Sequence, residues 1–155
     1  IAEGLLIRGQ DRSVAMEAAR GLLAEVGLDP AAADRYPHQF SGGQRQRISI
    51  ARALALEPEV LIADEPVSAL DVTVQAQILA LLERLRQARG LSLLLVTHDL
   101  RVAAQVCDRI AVMKAGEIVE TGPCERIFHA PRHPYTRSLI AAAPGRRLEA
   151  LPMTA

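Results

Sequence analysis

Net charge is the first thing this 155-residue sequence lacks, because 18 Lys and Arg offset 18 Asp and Glu. That balance removes the bulk electrostatic case for a nucleic-acid-binding or membrane-surface protein and leaves only room for a local basic patch. Long apolar runs are also missing. Stretches such as "LLLV" at 93–96 fall far short of the roughly 20 residues a membrane-spanning helix needs, so any work at a membrane is that of a peripheral partner. Cysteine is scarce: Cys107 and Cys124 stand alone, with no close pairing and no signal peptide. A reduced cytosolic setting is favoured over a disulfide scaffold, with both thiols as small buried or half-buried apolar residues. Internal repeats and low-complexity segments are absent too. The first residue is Ile1 and not a methionine, so a fragment, a processed product or a trimmed chain is expected.

Half of the residues are apolar, enough for one packed domain. In "SVAMEAARGLLAEV", Val14, Ala18, Leu22 and Val26 recur every fourth residue and mark one helical face over 13–26, closed by Gly27 and Pro30. A loop over 31–40 leads to a second helix at 44–56, with Ile48, Ala51 and Ala55 on one side and Pro58 beyond. The pattern then changes. "VLIAD" at 60–64 and "LSLLLVT" at 91–97 are short, branched, continuously apolar runs, as expected of parallel strands buried on both faces. Between them, Asp71 is placed to cap a helix whose buried stripe is Val74, Ile78, Leu81, Leu82 and Leu85. Strand, helix and strand make a right-handed crossover unit. A short helix at 99–107 precedes a hairpin turning at Ala115-Gly116, and two short helices broken by Pro131 and Pro134 follow Pro123.

Three places can carry chemistry. Asp64 and Glu65 leave the C-terminal end of a parallel strand, the edge where open α/β sheets bind ligands. One carboxylate there can hold a magnesium ion through water and the next can orient or deprotonate a water; equally, both can be capping acids ahead of Pro66. His98 ends the next strand and so emerges at the equivalent edge, though a lone histidine is more often structural. Ser41, Gly42 and Gly43 precede a helix, where unpaired N–H groups and the helix dipole suit an anion and glycine removes the Cβ from its path. An ordinary serine cap followed by loop glycines accounts for "SGG" as well.

The order of the pieces is more specific than any one of them. "FSGGQRQR", then "VLIADEP", "SALD" and "THD" closely resemble the ATP-binding-cassette ATPases from about Tyr36 to Gly122. The resemblance implies an α/β fold: a P-loop NTPase-like, RecA-like core with a parallel sheet, present as its C-terminal half, plus part of the helical subdomain. It divides the chain into the end of the helical subdomain (1–57), the half-core (58–122) and a C-terminal helical tail (123–155). Ser41, Gly42, Gly43 and Gln44 match the signature motif, with Phe40 where leucine is commonest. Asp64 matches the acid that supports magnesium, Glu65 the general base, Ser68, Ala69, Leu70 and Asp71 the D-loop, and His98 the switch histidine that contacts the γ-phosphate. No G-x-x-x-x-G-K-[ST] loop occurs in the sequence, and no Q-loop glutamine can be placed; both are expected before Ile1. The isolated chain is therefore expected neither to bind ATP tightly nor to hydrolyse it.

The tail "HAPRHPYTRSLIAAAP" at 129–144 resembles the segment after the core in importers of the peptide and nickel group. Pro134 would open its helix, with Tyr135 and Leu139 packed on the core. His129 and His133 carry little weight as metal ligands, since Pro131 and Pro134 break the helix that would align them. The resemblance implies an ATPase that uses ATP and Mg²⁺ to energise uptake of peptides or similar small solutes. Its implied partners are a second ATPase subunit packed head to tail, identical or not, a membrane permease and, indirectly, a solute-binding protein, with no nucleic acid. The implied location is the cytoplasmic face of a bacterial inner membrane. In that arrangement Ser41 and Gly43 attend the partner's nucleotide, while Asp64, Glu65 and His98 attend the subunit's own. Arg45 and Arg47 are then a solvated or subunit-facing surface. Two alternatives remain at this level: a soluble cassette ATPase of translation or DNA repair, and an inactive, truncated interaction module.

Overall fold

The computed structural model describes residues 1–142. The final residues of the tail expected at 129–144, and most of the end of 123–155, lie outside them. The chain forms two compact units, 1–96 and 97–155.

The first unit opens with a short helix that the sequence pattern does not announce, α1 (Glu3–Ile7), followed by α2 (Arg12–Glu25). The buried face of α2 is Ala15, Ala19, Leu22 and Leu23, continued by Val26, whereas Val14 is 55 % exposed. The expected stripe is thus corrected by one residue at its start. A strict spacing of four drifts about 40° per step around a helix of 3.6 residues per turn, so a face that stays buried must alternate steps of three and four. Gly27 ends the helix at φ +76°, with its N–H bonded to Ala24 O and that of Leu28 to Leu23 O, both at 2.9 Å. The paired bonds satisfy carbonyls the helix leaves open, and only glycine takes that φ without strain. The expected loop at 31–40 contains two short 3₁₀ turns, Pro30–Asp34 and Pro37–Gln39, each begun by a proline.

Helix α3 (Gly42–Leu54) starts two residues earlier than expected, so both glycines are helical and not loop residues. It buries Ile50, Ala51 and Leu54, and Ile48 is only half-buried. Strand β1 (Val60–Asp64), helix α4 (Val72–Arg89) and strand β2 (Ser92–Val96) follow, with β1 and β2 parallel and Asp64 opposite Val96. Helix α4 buries Ile78, Leu79, Leu81, Leu82 and Leu85 and ends at Gly90 with φ +63°. Burial of the strands on both faces is not observed. Val60, Ile62, Leu94 and Val96 share one face and are between 47 and 65 % exposed. Among the described residues of this unit no layer covers that face.

The second unit contains α5 (Leu100–Val106), an antiparallel hairpin of β3 (Arg109–Lys114) and β4 (Glu117–Pro123), α6 (Cys124–His129) and α7 (Pro134–Ala142). Ala115 and Gly116 turn the hairpin with φ +50° and +85°, as a two-residue loop requires to match the strand twist. The register shifts between Val112 and Met113. Pro134 opens α7 as expected, but its buried residue is Thr136, with Tyr135 and Leu139 half-buried. Glu120 of β4 holds the tail in place. The residue is only 8 % exposed, and its carboxylate accepts from the N–H groups of Arg132 (2.9 Å) and His133 (3.0 Å) and from Arg126 Nη1 (3.1 Å). Those bonds, the two backbone N–H groups first, lower its pKa to about 2. The buried Thr136 hydroxyl adds to that field without closing a hydrogen bond of ordinary geometry.

Candidate functional site

Ser41 has extended backbone angles and caps α3, its Oγ accepting from Gln44 N at 3.3 Å. Gln44 reaches back, so that its Oε1 accepts from Ser41 N at 3.0 Å. This reciprocal capping box is legible in the sequence as S-x-x-Q. It uses two donors at the helix start and leaves the Gly42 and Gly43 N–H groups without an intrahelical acceptor. Two adjacent N–H groups at the positive end of a 13-residue helix can receive an anion.

The start of α3 is seated on the segment that begins α4. A Cβ placed on Gly42 would lie 3.5 Å from Leu70 Cδ2, an ordinary contact, whereas one on Gly43 would lie 2.6 Å from Val74 Cγ1. Arg47 makes a second tie. Its Nη1 donates to Val26 O at 2.7 Å and its Nη2 to Gln77 Oε1 at 3.4 Å, so one side chain of α3 joins the end of α2 to α4. Arg47, half-buried, therefore serves as an internal bracket. Arg84 and Arg89 of α4 complete the junction, Arg84 donating to Glu25 O at 2.7 Å and Arg89 pairing with the Glu25 carboxylate. Hydrogen bonds from Arg89 keep the Glu25 carboxyl below the usual range. Sequence reasoning placed Val74 only in the buried stripe of its helix and Arg47 only on a surface, and so missed what each one joins. Only the glycine at 43, read as a close-packing residue, would have pointed to the first.

The strand-end pair sits on the same unit. Asp64 is the exposed last residue of β1, and Glu65 continues the ladder by donating its N–H to Val96 O at 2.9 Å. Glu65 does so at φ +49°, a left-handed conformation uncommon for a residue with a Cβ and a marker of strain that clusters at functional sites. Ser68 N and Oγ both donate to Glu65 O, at 3.4 and 3.2 Å, which closes the turn through Pro66. Asp71 caps α4 as expected, its Oδ1 accepting from Val74 N at 2.9 Å. The expected D-loop, Ser68 to Asp71, is thus a turn fixed at both ends.

His98 belongs to the second unit, two residues after β2, and is exposed. Beside it, Asp99 caps α5 and pairs with Arg101 at 2.8 Å, and hydrogen bonds from that guanidinium lower its carboxyl pKa. The sequence has one lysine, Lys114, and it lies over the Tyr135 ring at 4.9 Å. It offers no phosphate-loop lysine. Among the described residues no three His, Cys, Asp or Glu side chains converge to hold a metal ion. Asp64 fits the way Mg²⁺ is usually held in nucleotide sites, by one or two carboxylates, waters and substrate phosphates.

The ABC transporter family matches residues 4–68, which include the capped helix and the Asp64-Glu65 pair, and the family described as "Oligopeptide/dipeptide transporter, C-terminal region" matches 119–151. The oligopeptide transport ATP-binding protein OppF of Bacillus subtilis is 50 % identical over 146 residues, 93 % of this chain and 48 % of its own length. Residues 4–68 of the chain are a segment of the ABC transporter family. A putative peptide import ATP-binding protein of Brucella abortus is 50 % identical over 93 % of this chain and 46 % of itself. A glutathione import ATP-binding protein of Escherichia coli is 52 % identical over 93 % of this chain and 24 % of itself. The chain thus spans about half the length of the peptide-type relatives it matches. The unit that carries the capped start at Ser41–Gln44 also carries the Asp64-Glu65 strand end and the turn at 68–71. The matched region at 119–151 begins beside Glu120, so the carboxylate that anchors the tail belongs to the oligopeptide-type segment.

Proposed function

We propose that the chain is part of the ATP-hydrolysing subunit of an importer for peptides or similar small solutes. One observation carries this: a capped helix with two open N–H groups and a strained strand-end Glu65 share one compact unit, within a segment that matches ABC transporters. The tail's match to the oligopeptide region favours import over a translation or repair role. In this reading ATP is held by two subunits packed head to tail, the signature segment Ser41–Gln44 of one facing the nucleotide of the other. Asp64 supports Mg²⁺ through water, Glu65 accepts a proton from the attacking water, and His98 meets the γ-phosphate. Asp71 and the turn before it lie at the contact between subunits. The assembly docks on a permease at the cytoplasmic face of the membrane. No helix among the described residues is long and apolar enough to cross one. The solute is left to the permease and the binding protein.

The test is phosphate release from Mg·ATP by the full-length protein assembled with its permease in vesicles. Glu65→Gln keeps size and removes the base, and general-base loss lowers turnover by roughly 10² to 10⁴. Turnover that survives this change unaltered overturns the assignment.

A further inference from the structure

We propose that Gly43 is a packing glycine, and that Val74 is a positioning residue that sets the signature segment against the start of α4. This rests on the reading of Ser41–Gln44 as the signature segment. The usual reason for glycine ahead of a phosphate is room for the ligand or a special φ. Gly43 has no positive φ; those glycines are Gly9, Gly27, Gly90 and Gly116. What its missing Cβ admits is protein: Val74 Cγ1 would lie 2.6 Å from it and Val74 Cβ 3.9 Å. That separation lies well inside the contact distance of two carbon atoms, so one of the two must move.

Val74 has little freedom to move. It sits in the first turn of α4, where a β-branched side chain is largely confined to one rotamer, and its own N–H is bonded to the Asp71 cap at 2.9 Å. The relief would come from displacing the α3 start, and with it the Gly42 and Gly43 N–H groups and the capping box. Gly42 provides the contrast, because a Cβ there makes only an ordinary 3.5 Å contact with Leu70. The two glycines are therefore not equivalent. Gly43 and Val74 together fix how far the signature helix stands from the helix that follows the D-loop turn. The segment proposed to face the partner's nucleotide and the turn proposed to lie at the subunit contact are thereby held as one body.

The experiment uses the full-length protein, with Tm measured without nucleotide and phosphate release measured with Mg·ATP in the permease-bound assembly. The variants are Gly43→Ala, Gly42→Ala, Val74→Ala and the double variant Gly43→Ala/Val74→Ala. Alanine is the better helix former, so without a clash both glycine changes leave Tm unchanged or raise it. The expectation is that Gly43→Ala alone lowers Tm by about 4 °C, as overpacking does, and cuts turnover roughly 10- to 100-fold, as a displaced site does. Adding Val74→Ala restores Tm and brings turnover back to that of Val74→Ala alone. If Gly43→Ala fails to fold and the double variant folds, the proposal stands. If Gly43→Ala loses turnover at unchanged Tm and Val74→Ala does not rescue it, the glycine serves the ligand and the proposal falls. If the double variant is as unstable as Gly43→Ala, it falls as well. An unmodified protein that releases no phosphate would end the functional reading, while the Tm rescue would still decide the packing.

Discussion

Arg47 stands in a motif whose two arginines look interchangeable in sequence, and the structure separates them. Arg47 donates at 2.7 Å to the carbonyl of Val26 and at 3.4 Å to Gln77, and its Nη1 lies 3.2 Å from where a Cβ on Gly27 would be. Arg45 is exposed, and its side chain makes no hydrogen bond or ion pair among the described residues. Arg47→Met keeps an apolar stem of similar length and removes the guanidinium. A hydrogen bond from a charged donor contributes about 1.5–3 kcal/mol. The Val26 carbonyl ends a helix at a part-exposed junction, where water replaces some of it, so the lower end, ~1.5 kcal/mol, applies. The longer Gln77 contact adds little. For a chain of this size that is a Tm fall of roughly 3–6 °C, against a change within about 0.5 kcal/mol for Arg45→Met. Arg47→Lys brings a single point charge that can serve Val26 or Gln77 but not both as a fork does, and is expected between the two. Urea and thermal melts of the three variants measure this directly. Equal stability of Arg45→Met and Arg47→Met would refute the bracket.

Two further changes test other parts of the fold. Glu120 has a folded pKa of about 2, below the ordinary glutamate value of about 4.3. The fold therefore prefers its charged form, which stabilises above about pH 4.3 and is lost as pH falls from there through about 2. Glu120→Gln should melt below the unmodified protein at pH 7, with the gap closing toward pH 2; a gap that stays constant across that window would show that the carboxylate does not anchor the tail. At the end of α4, Gly90 sits at φ +63° with open space where a Cβ would go. Gly90→Ala should therefore show backbone strain alone, a loss of about 1 kcal/mol in urea melts, and no loss would mean that the cap relaxes at no cost.

What could be seen in the sequence follows the physics of each signal. Elements bounded by a strong local signal were legible: Gly27 as a helix end, Asp71 as a cap, and Ala115-Gly116 as a hairpin turn. Ser41–Gln44 lie at a helix start, Asp64 and Glu65 at a strand end and Ser68–Asp71 in a turn, whereas His98, expected to end β2, lies two residues beyond it. Faces were less legible. The four-residue spacing of Val14, Ala18, Leu22 and Val26 misplaced the buried side of α2, because a helix of this length can turn by one residue without changing its composition. The continuous apolar runs of β1 and β2 spoke for two buried faces, and composition cannot say whether one chain supplies both layers. Arg47, Val74 and Glu120 were out of reach for a simpler reason. Their partners lie 21, 31 and up to 13 residues away, and only the fold brings them together.

At Ser41, Gly43 and Asp71 the sequence offered a choice between a structural role and one facing a ligand or a partner subunit, and the geometry leaves room for both. A serine hydroxyl has one donor and two acceptor positions. Capping Gln44 N occupies an acceptor position and leaves the O–H for a phosphate oxygen. The capping box likewise uses the N–H groups of Ser41 and Gln44, and not those of Gly42 and Gly43 between them. Asp71 caps with Oδ1, and a carboxylate has a second oxygen. Each residue can therefore hold its own helix start with one part of its hydrogen-bonding capacity and face outward with the rest. A cap that fixes the helix start also fixes where the open N–H groups point, so the structural role is the condition for the functional one.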